Sequence, residues 1–331
     1  MREPLLTIGS LQVTPFSVGV FLAALAGGAL LLLLAAKKKQ PDSVLVLLPL
    51  TLCLGILLGH GLFAVTRVLI YPLDYEHPLA FILNPSVGGY MYLGVFAGGA
   101  IAAWITGRIH KTGFADQMSL LLPAMLLTLA IVRFAEPLDF QGKGPGVEGG
   151  FFPFAFAPEV DYPEDLYVPV FFYEGVYALI LAVWSFSNTL SSSRKTRPVK
   201  FFFILYLAGQ MFFEVFRQDE YINATSLITF IRLNQLFAVI LLGGYLVYDV
   251  IRARQHLGAK AIWLRCVVFA ISVAACVGLQ FLFDKPLPLF GQTIWFANWL
   301  VYLLLALTAV GMGWAVLSLI KHIPQAEARK A

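Results

Sequence analysis

The sequence predicts an all-α polytopic membrane protein with about nine transmembrane helices. Apolar residues make up 59% of the 331 residues and charged residues only 13%, whereas charged residues make up roughly 25% of an average soluble domain. The mean hydropathy is +0.80, and the apolar residues fall into runs of about 20, the length at which a helix crosses a bilayer. In chain order, the predicted helices lie near residues 14–35, 43–66, 89–107, 115–135, 168–190, 201–217, 228–250, 262–283 and 294–320.

The charges of the loops alternate along the chain. Basic residues gather in every second loop, as at Lys37–Lys39 and Arg194–Lys200, while the intervening ends carry most of the acids, such as Asp139 and Glu148. Because Lys and Arg are enriched in cytoplasmic loops, we expect the N-terminus outside and the C-terminus in the cytoplasm. The formal net charge of +4 then indicates attraction to anionic lipid and no nucleic-acid partner.

The first span, a glycine pair and the cysteines each lead to a further expectation. The first span follows a segment without a basic region and short apolar core of the signal-peptide type, so we expect it to be retained. Gly94 and Gly98 in the third span form a GxxxG pair, which lets helices approach closely. Cys53, Cys266 and Cys276 all lie in predicted spans, a placement that indicates neither disulfides nor a metal site. No cofactor is expected.

The longest outward segment covers residues 136–167 and is rich in Gly, Pro, aromatic and acidic residues. A loop of this length is usually functional or disordered. Its FFPFAFAP core contains too many aromatic residues for a disordered segment. We therefore predict a folded periplasmic cap at the outer interface, with aromatic rings at the level of the lipid headgroups.

The sixth predicted span carries a polar stripe. Tyr206, Gln210, Glu214 and Arg217 are spaced by four, four and three residues, so a helix places them along one face. Charged residues inside a span are costly and are functional by default. The stripe therefore predicts a buried site.

Ionisable residues collect at the outward ends of several spans. Arginine binds phosphate well because its guanidinium stays charged and presents a planar fork of donors. A carboxylate can orient an arginine or accept a proton. The pattern predicts recognition of an anionic phospholipid headgroup, although snorkelling anchors also explain single arginines such as Arg67. The residues concerned are Arg67, Arg133, Glu136, Glu174, Glu214, Arg217 and Arg232.

Motifs across roughly residues 5–255 resemble, in order, those of the bacterial prolipoprotein diacylglyceryl transferase family. TIGSLQVTPFSVGVFLA resembles its N-terminal opening, and GGYMYLGVFAGG resembles its Gly-Gly-Met-Ser-Phe-His-Gly-Gly segment. IVRFAEPLDFQGKG resembles Gly-Arg-Leu-Gly-Asn-Phe-Ile-Asn-Gly-Glu, FFPFAF resembles Phe-Pro-Phe-Ala, and VPVFFYEG resembles His-Pro-Ser-Gln-Leu-Tyr-Glu. FFEVFRQDE, followed by NQL, resembles the Glu-Phe-Phe-Arg-Gln-Pro-Asp and Gly-Gln segments.

The resemblance implies transfer of a diacylglyceryl group from phosphatidylglycerol to the lipobox cysteine of a preprolipoprotein, in the bacterial inner membrane with the site facing the periplasm. Arg133, Glu214, Arg217, Tyr206, Tyr173 and Glu174 match family motif positions. The candidate catalytic residues are Glu136, Glu214 and Tyr206, and the candidate lipid-binding residues are Arg133, Arg217, Tyr173, Glu174, Gln210 and Arg67.

Five positions depart from the family pattern. A leucine cannot accept a proton, so a general base must come from elsewhere. Glu136, one turn from Arg133, and His60, in the second span, are the two alternatives. A lone histidine between two glycines in a span is, however, more often hydrogen-bonded to a backbone carbonyl than catalytic. The family's catalytic histidine falls on Leu93, its asparagine on Glu136, its second arginine on Gln210, its N-terminal tyrosine on Phe16, and the histidine of its His-Pro motif on Val168.

Two functions stay open at this point. The protein is either a divergent transferase, which acts on a lipoprotein cysteine or another acceptor, or a catalytically inactive relative that binds phospholipid or lipoprotein as a subunit of a membrane complex. We expect a seven-helix transferase-like domain over residues 1–255. The two additional helices and tail of residues 256–331 lie outside the resemblance and are a candidate docking surface for a membrane partner.

Overall fold

A computed structural model describes most of the chain. The described residues are 4–8, 11–71, 77–84, 89–158, 164–191, 196–218, 232–284, 287–289, 292–294 and 298–320. Within them, nine helices are long and apolar enough to cross a membrane, so the predicted all-α polytopic fold is confirmed. The orientation of the termini stays a prediction.

Ten helices and three two-stranded antiparallel sheets form the described structure. The helices are α1 (Pro15–Lys37), α2 (Pro41–Ile70), α3 (Pro78–Leu83), α4 (Tyr92–Ile109), α5 (Phe114–Ala135), α6 (Val170–Ser191), α7 (Thr196–Phe216), α8 (Leu233–Ala253), α9 (Ala259–Asp284) and α10 (Asn298–Ile320). The strands pair as β1 (Leu6–Ile8) with β2 (Leu11–Val13), β3 (Lys143–Val147) with β4 (Leu166–Pro169), and β5 (Leu287–Leu289) with β6 (Gln292–Ile294).

The sequence explains why the first helices begin where they do. Thr14 precedes α1 and its side chain accepts from the backbone N–H of Ser17, while the Ser17 hydroxyl accepts from the backbone N–H of Thr14. This reciprocal capping satisfies N–H groups that a helix start leaves unpaired. Pro15 and Pro41 occupy the first positions of α1 and α2, where the missing N–H of proline costs nothing.

The chain forms two compact units. Unit 1 contains residues 1–199 and 216–220, and unit 2 contains residues 200–215 and 221–331. The predicted division after residue 255 stays a prediction. The tail from residue 321 onwards, which was predicted to be cytoplasmic, lies outside the described residues, as do residues 192–195 of the predicted basic loop.

In unit 1, α5 is the central helix. It packs against α1, α4 and α6, and 72% of its spanning window is buried, the largest share among the nine described spans. A close helix contact joins α2 and α4, as the GxxxG pair predicted. A Cβ on Gly94 would lie 2.3 Å from the Leu58 carbonyl oxygen, and a Cβ on Gly98 would lie 2.5 Å from that of Leu54. Only glycine permits this approach.

The described part of the cap begins with a 3₁₀ helix, Glu136–Asp139, which continues from α5. The β3–β4 hairpin follows, and between its strands the rings of Phe151 and Phe154 are 71% and 63% exposed. The Tyr173 hydroxyl donates to the Pro153 carbonyl oxygen at 2.8 Å and so ties this turn to α6. Residues 159–163 of the predicted cap lie outside the described residues.

In unit 2, α10 packs against α8 and α9. A Cβ on Gly311 of α10 would lie 2.4 Å from the Ser272 hydroxyl of α9, and Arg265 Nε donates to the Ser318 hydroxyl at 2.8 Å. The two last helices therefore form a close antiparallel pair with polar contacts between them.

Candidate functional site

Four charged side chains of unit 1 form a closed ring in which arginines and glutamates alternate. We call Arg133, Glu136, Glu174 and Arg217 the charge ring. Arg133 pairs with Glu136 and, at 2.8 Å, with Glu174. Arg217 lies 2.8 Å from Glu136 through Nη2 and 2.7 Å from Glu174 through Nη1. Each arginine contacts both glutamates. Because the ring contains two arginines and two glutamates, it carries no net charge.

Separate elements bring these residues together. Arg133 lies in the last turn of α5, and Glu136 follows it by three residues at the start of the 3₁₀ helix. Glu174 lies in the second turn of α6. Arg217 follows the last residue of α7, and the backbone N–H of the next residue, Gln218, donates to the Lys143 carbonyl oxygen at 2.9 Å. The cap strand β3 therefore helps to fix the position of Arg217.

Gly142 is required beside the ring for two reasons. Its φ is +79°, a left-handed conformation that favours glycine. A Cβ at this position would also lie 2.8 Å from Oε2 of Glu136 and 2.5 Å from Cβ of Phe171. Any side chain at residue 142 would therefore press on Glu136, one of the two glutamates that join the arginines.

Burial makes the pairing within the ring necessary. Arg217 is 0% exposed, Glu174 2% and Glu136 3%. A buried charge is tolerated only when it is paired and hydrogen-bonded, and the alternation satisfies this condition for all four groups. Arg133 is the most accessible member, with 11% of its side chain exposed. An anionic ligand would therefore reach the ring first at Arg133.

Both carboxylate oxygens of Glu136 are occupied by arginines. Oε1 pairs with Arg133, and Oε2 accepts from Arg217 at 2.8 Å. A general base needs a free lone pair within hydrogen-bond reach of the proton that it removes. In this arrangement Glu136 presents its oxygens to the arginines. Its predicted role as a base is still a hypothesis.

Tyr173 and Arg67, two predicted lipid contacts, have other partners in unit 1. The Tyr173 hydroxyl donates to the Pro153 carbonyl oxygen. The guanidinium carbon of Arg67 lies 5.8 Å from the centroid of the Tyr71 ring, a cation–π arrangement at the end of α2. Neither residue belongs to the charge ring.

The remaining predicted residues lie in unit 2. Tyr206, Gln210 and Glu214 are 3%, 4% and 0% exposed, and all three are in α7. The polar stripe therefore differs from the prediction at its last residue, because α7 ends at Phe216 and Arg217 lies beyond the helix. The helical repeat therefore does not predict the direction of the Arg217 side chain.

Sequence reasoning did not identify the partners of the stripe in unit 2. Asn234 Nδ2 donates to Oε1 of Glu214. Gln235 Nε2 donates to the Met211 carbonyl oxygen at 3.3 Å, and its Oε1 accepts from the backbone N–H of Arg232 at 3.0 Å. In the sequence, the adjacent side-chain amides of Asn234 and Gln235 at the start of α8 could have indicated this cluster.

The position of the missing histidine, Leu93, and the alternative base His60 lie in different helices. Leu93 lies in the first turn of α4 and is 7% exposed. His60 lies in α2, is 3% exposed, and its Nε2 is 3.2 Å from the Phe81 carbonyl oxygen. Both residues belong to unit 1.

Comparison with known proteins agrees with the family resemblance of the sequence motifs. The model of the family described as prolipoprotein diacylglyceryl transferase matches residues 3–250. A phosphatidylglycerol–prolipoprotein diacylglyceryl transferase of Clostridium botulinum is 25% identical over 189 residues, which cover 55% of this chain and 72% of that protein. One of Clostridium kluyveri is 27% identical over 167 residues, which cover 48% of this chain and 65% of that protein. The chain therefore belongs to the prolipoprotein diacylglyceryl transferase family.

Proposed function

We propose that this protein transfers the diacylglyceryl group of an anionic phospholipid, such as phosphatidylglycerol, to the cysteine thiol of a lipoprotein precursor. The reaction takes place at the outer leaflet of the bacterial inner membrane. Family membership and the names of the relatives support the reaction class. The observation that carries the proposal is the pair of arginines, the partly exposed Arg133 and the buried Arg217, held by Glu136 and Glu174.

The proposed reaction needs a phosphate site and an activated thiol. The sulfur attacks the glyceryl carbon, the bond from that carbon to the phosphate oxygen breaks, and glycerol phosphate leaves with the electron pair. Arginine suits the leaving phosphate because its fork can bind two oxygens. In the proposal the phosphate approaches Arg133, the most accessible ring member, and takes the place of a carboxylate. The remaining predicted contacts of the lipid are Arg67, Tyr173, Tyr206, Gln210 and Glu214.

A second candidate function is favoured by the missing base. Position 93 holds a buried leucine, and both oxygens of Glu136 contact arginines. A family member with such a site can bind phospholipid or lipoprotein without turnover, as a subunit of a larger membrane complex. In this version α9 and α10, which lie beyond the residues matched by the family model, are the docking surface for a membrane partner.

The two functions are separated by one assay. The purified protein is placed in nanodiscs with phosphatidylglycerol labelled in its acyl chains and with a lipobox peptide. The proposed transferase produces a lipidated peptide and releases glycerol phosphate in equal amounts. The control is the same peptide with serine in place of cysteine. Absence of both products, together with phospholipid retained in native mass spectrometry, would contradict the transferase and support the binding subunit.

A further inference from the structure

His60 has an unusual hydrogen-bonding state. It is the only histidine within the described membrane-spanning helices. A carbonyl oxygen can only accept, so the contact of Nε2 with the Phe81 carbonyl at 3.2 Å places the proton of the neutral ring on Nε2. The other nitrogen, Nδ1, then carries a lone pair. It is buried and has no hydrogen-bond partner among the described residues.

A buried acceptor without a partner loses its hydrogen bond to water and gains none in return. Such a group in a native structure calls for an explanation, and a ligand that donates a hydrogen bond is one. The neighbours of His60 are aromatic. Its ring centroid lies 6.2 Å from that of Phe81 and 5.7 Å from that of Tyr90. One carbonyl and two aromatic rings therefore hold the imidazole in place.

The connection between α2 and α4 returns to the level of His60. The carbonyl of Phe81 reaches His60, and the backbone N–H of Met91 donates to the Gly59 carbonyl oxygen at 3.0 Å. Since α2 continues for ten more residues to Ile70, the chain comes back by about 15 Å along that helix. Non-helical backbone at membrane depth is tolerated only where protein buries it or where it lines a water-filled cavity.

The N-terminus of α4 lies at the same place. Its N-cap residue, Met91, makes no side-chain capping bond, so the first turn of α4 carries the partial positive charge of an uncapped helix start. Such a terminus lowers the energy of a thiolate. Gly94 of this turn packs on Gly59, since a Cβ on Gly94 would lie 2.9 Å from the Gly59 Cα. His60 and Leu93 therefore flank the same helix crossing.

We propose that His60 is the general base for the acceptor thiol, an inference that rests on the proposed function. The S–H proton of the substrate cysteine passes to Nδ1 of His60, and the resulting thiolate is stabilised by the N-terminus of α4. As the sulfur bonds to the glyceryl carbon, the carbon–oxygen bond breaks and its electron pair stays with the phosphate. The imidazolium proton then passes to the leaving phosphate or to water, which restores the neutral ring.

The test replaces His60 with Gln, whose amide can keep the bond to the Phe81 carbonyl but cannot act as a base. His77→Gln is the matched control, because His77 is an exposed histidine outside the membrane-spanning helices. The protein in nanodiscs is mixed with a lipobox cysteine peptide in the presence of a phospholipid that cannot react, a phosphonate analogue of phosphatidylglycerol in which a methylene group replaces the oxygen between the glyceryl carbon and phosphorus. The thiolate is measured by its ultraviolet difference absorbance.

We expect thiolate formation with the wild-type protein and with His77→Gln, and at least a tenfold smaller signal with His60→Gln. With reactive phosphatidylglycerol, the rate of transfer should fall by roughly 10²- to 10⁴-fold in the same variant. If His60→Gln does not fold, His60→Asn is measured instead. Equal thiolate signals in the wild type and the His60 variant would overturn the inference. A thiolate signal in a wild-type protein that lipidates no peptide supports the inference and refutes the proposed transferase.

Discussion

Nη1 of Arg217 lies 2.7 Å from Oε2 of Glu174, although 43 positions separate the two residues in the chain. The second nitrogen of the same guanidinium, Nη2, donates to Glu136 at 2.8 Å. One arginine that follows α7 thus joins the end of α5 to the second turn of α6. The phosphate-binding groups of the proposed site are therefore also part of the packing of unit 1.

Loss of Arg217 should destabilise the protein strongly. Arg217→Met leaves two buried carboxylates with Arg133 as the remaining arginine of the ring, and breaking a buried ion pair in this way costs about 3–5 kcal/mol. Thermal unfolding in detergent measures the effect, with the exposed Arg108→Met as the control. The double variant Arg217→Met, Glu174→Met should recover part of the loss, because it removes one charge of each sign. Equal melting temperatures for the single variants would contradict the ring.

Glu136→Gln should strengthen phospholipid binding. The substitution changes the net charge of the ring from zero to +1 and frees donors of Arg133 and Arg217 for a phosphate. We expect at least a tenfold higher affinity for phosphatidylglycerol, or about 1.4 kcal/mol, measured by native mass spectrometry with titrated lipid. Glu148→Gln in the exposed cap is the control. Loss of transfer at unchanged lipid affinity would instead identify Glu136 as the base.

Gly94→Val should disrupt the contact between α2 and α4. A Cβ at residue 94 already lies 2.3 Å from the Leu58 carbonyl oxygen, and backbone cannot move aside as a flexible side chain can. Overpacking of this kind costs about 1–3 kcal/mol. Gly61→Val is the matched control, because a Cβ at residue 61 of α2 has no neighbouring atom within 4 Å. Thermal unfolding of both variants checks the prediction, which fails if they melt together.

In unit 2, the pair of Lys200 and Asp249 should stabilise the contact between α7 and α8. Asp249 is 0% exposed and pairs with Lys200, whose Nζ also lies 4.5 Å from the centroid of the Tyr248 ring. Lys200→Met should lower the stability by about 3–5 kcal/mol, because it leaves a buried charge without its partner.

Adding Asp249→Asn to Lys200→Met should restore most of the stability lost in unit 2. The measurement is a double-mutant cycle on thermal unfolding. Additive effects of the two substitutions would show that the pair does not couple the helices.

The predicted orientation can be tested by labelling single cysteines with a membrane-impermeant maleimide in intact spheroplasts. Cys53, Cys266 and Cys276 are first replaced by serine. Glu148→Cys in the cap should react in intact cells. Arg254→Cys, after the end of α8, should react only after the membrane is made permeable. Both positions are exposed, so the reverse labelling pattern would invert the topology.

Most of the fold could be predicted because its cause is local. A run of apolar residues long enough to cross the bilayer must be a helix there, and the nine described spans follow from that rule. The close contact at Gly94 could be anticipated in the same way, since only small residues allow it. The return of the chain to the level of His60 was not predicted, because the residues between α2 and α4 have no periodic pattern.

The members of the charge ring could be selected from the sequence, but their pairing could not. Arg133 and Glu136 are three residues apart, and a helical turn predicts that they meet. The contact of Arg217 with Glu136 spans 81 positions and depends on how three helix ends are arranged. The contacts of Gln235, which was noticed only within the NQL motif, and the role of Asp249 were missed for a similar reason. A polar residue in an apolar run does not reveal which helix supplies its partner.

During biosynthesis, the four members of the charge ring are made in a fixed order. Because the chain is made from its N-terminus, Arg133, Glu136 and Glu174 enter the membrane before Arg217. At that stage they carry a net charge of −1. At roughly 5–20 residues per second, the 43 residues that follow Glu174 take about 2–9 s to synthesise. During this interval the nascent chain has one more acid than base among these residues, and the arrival of Arg217 supplies the last member of the charge ring.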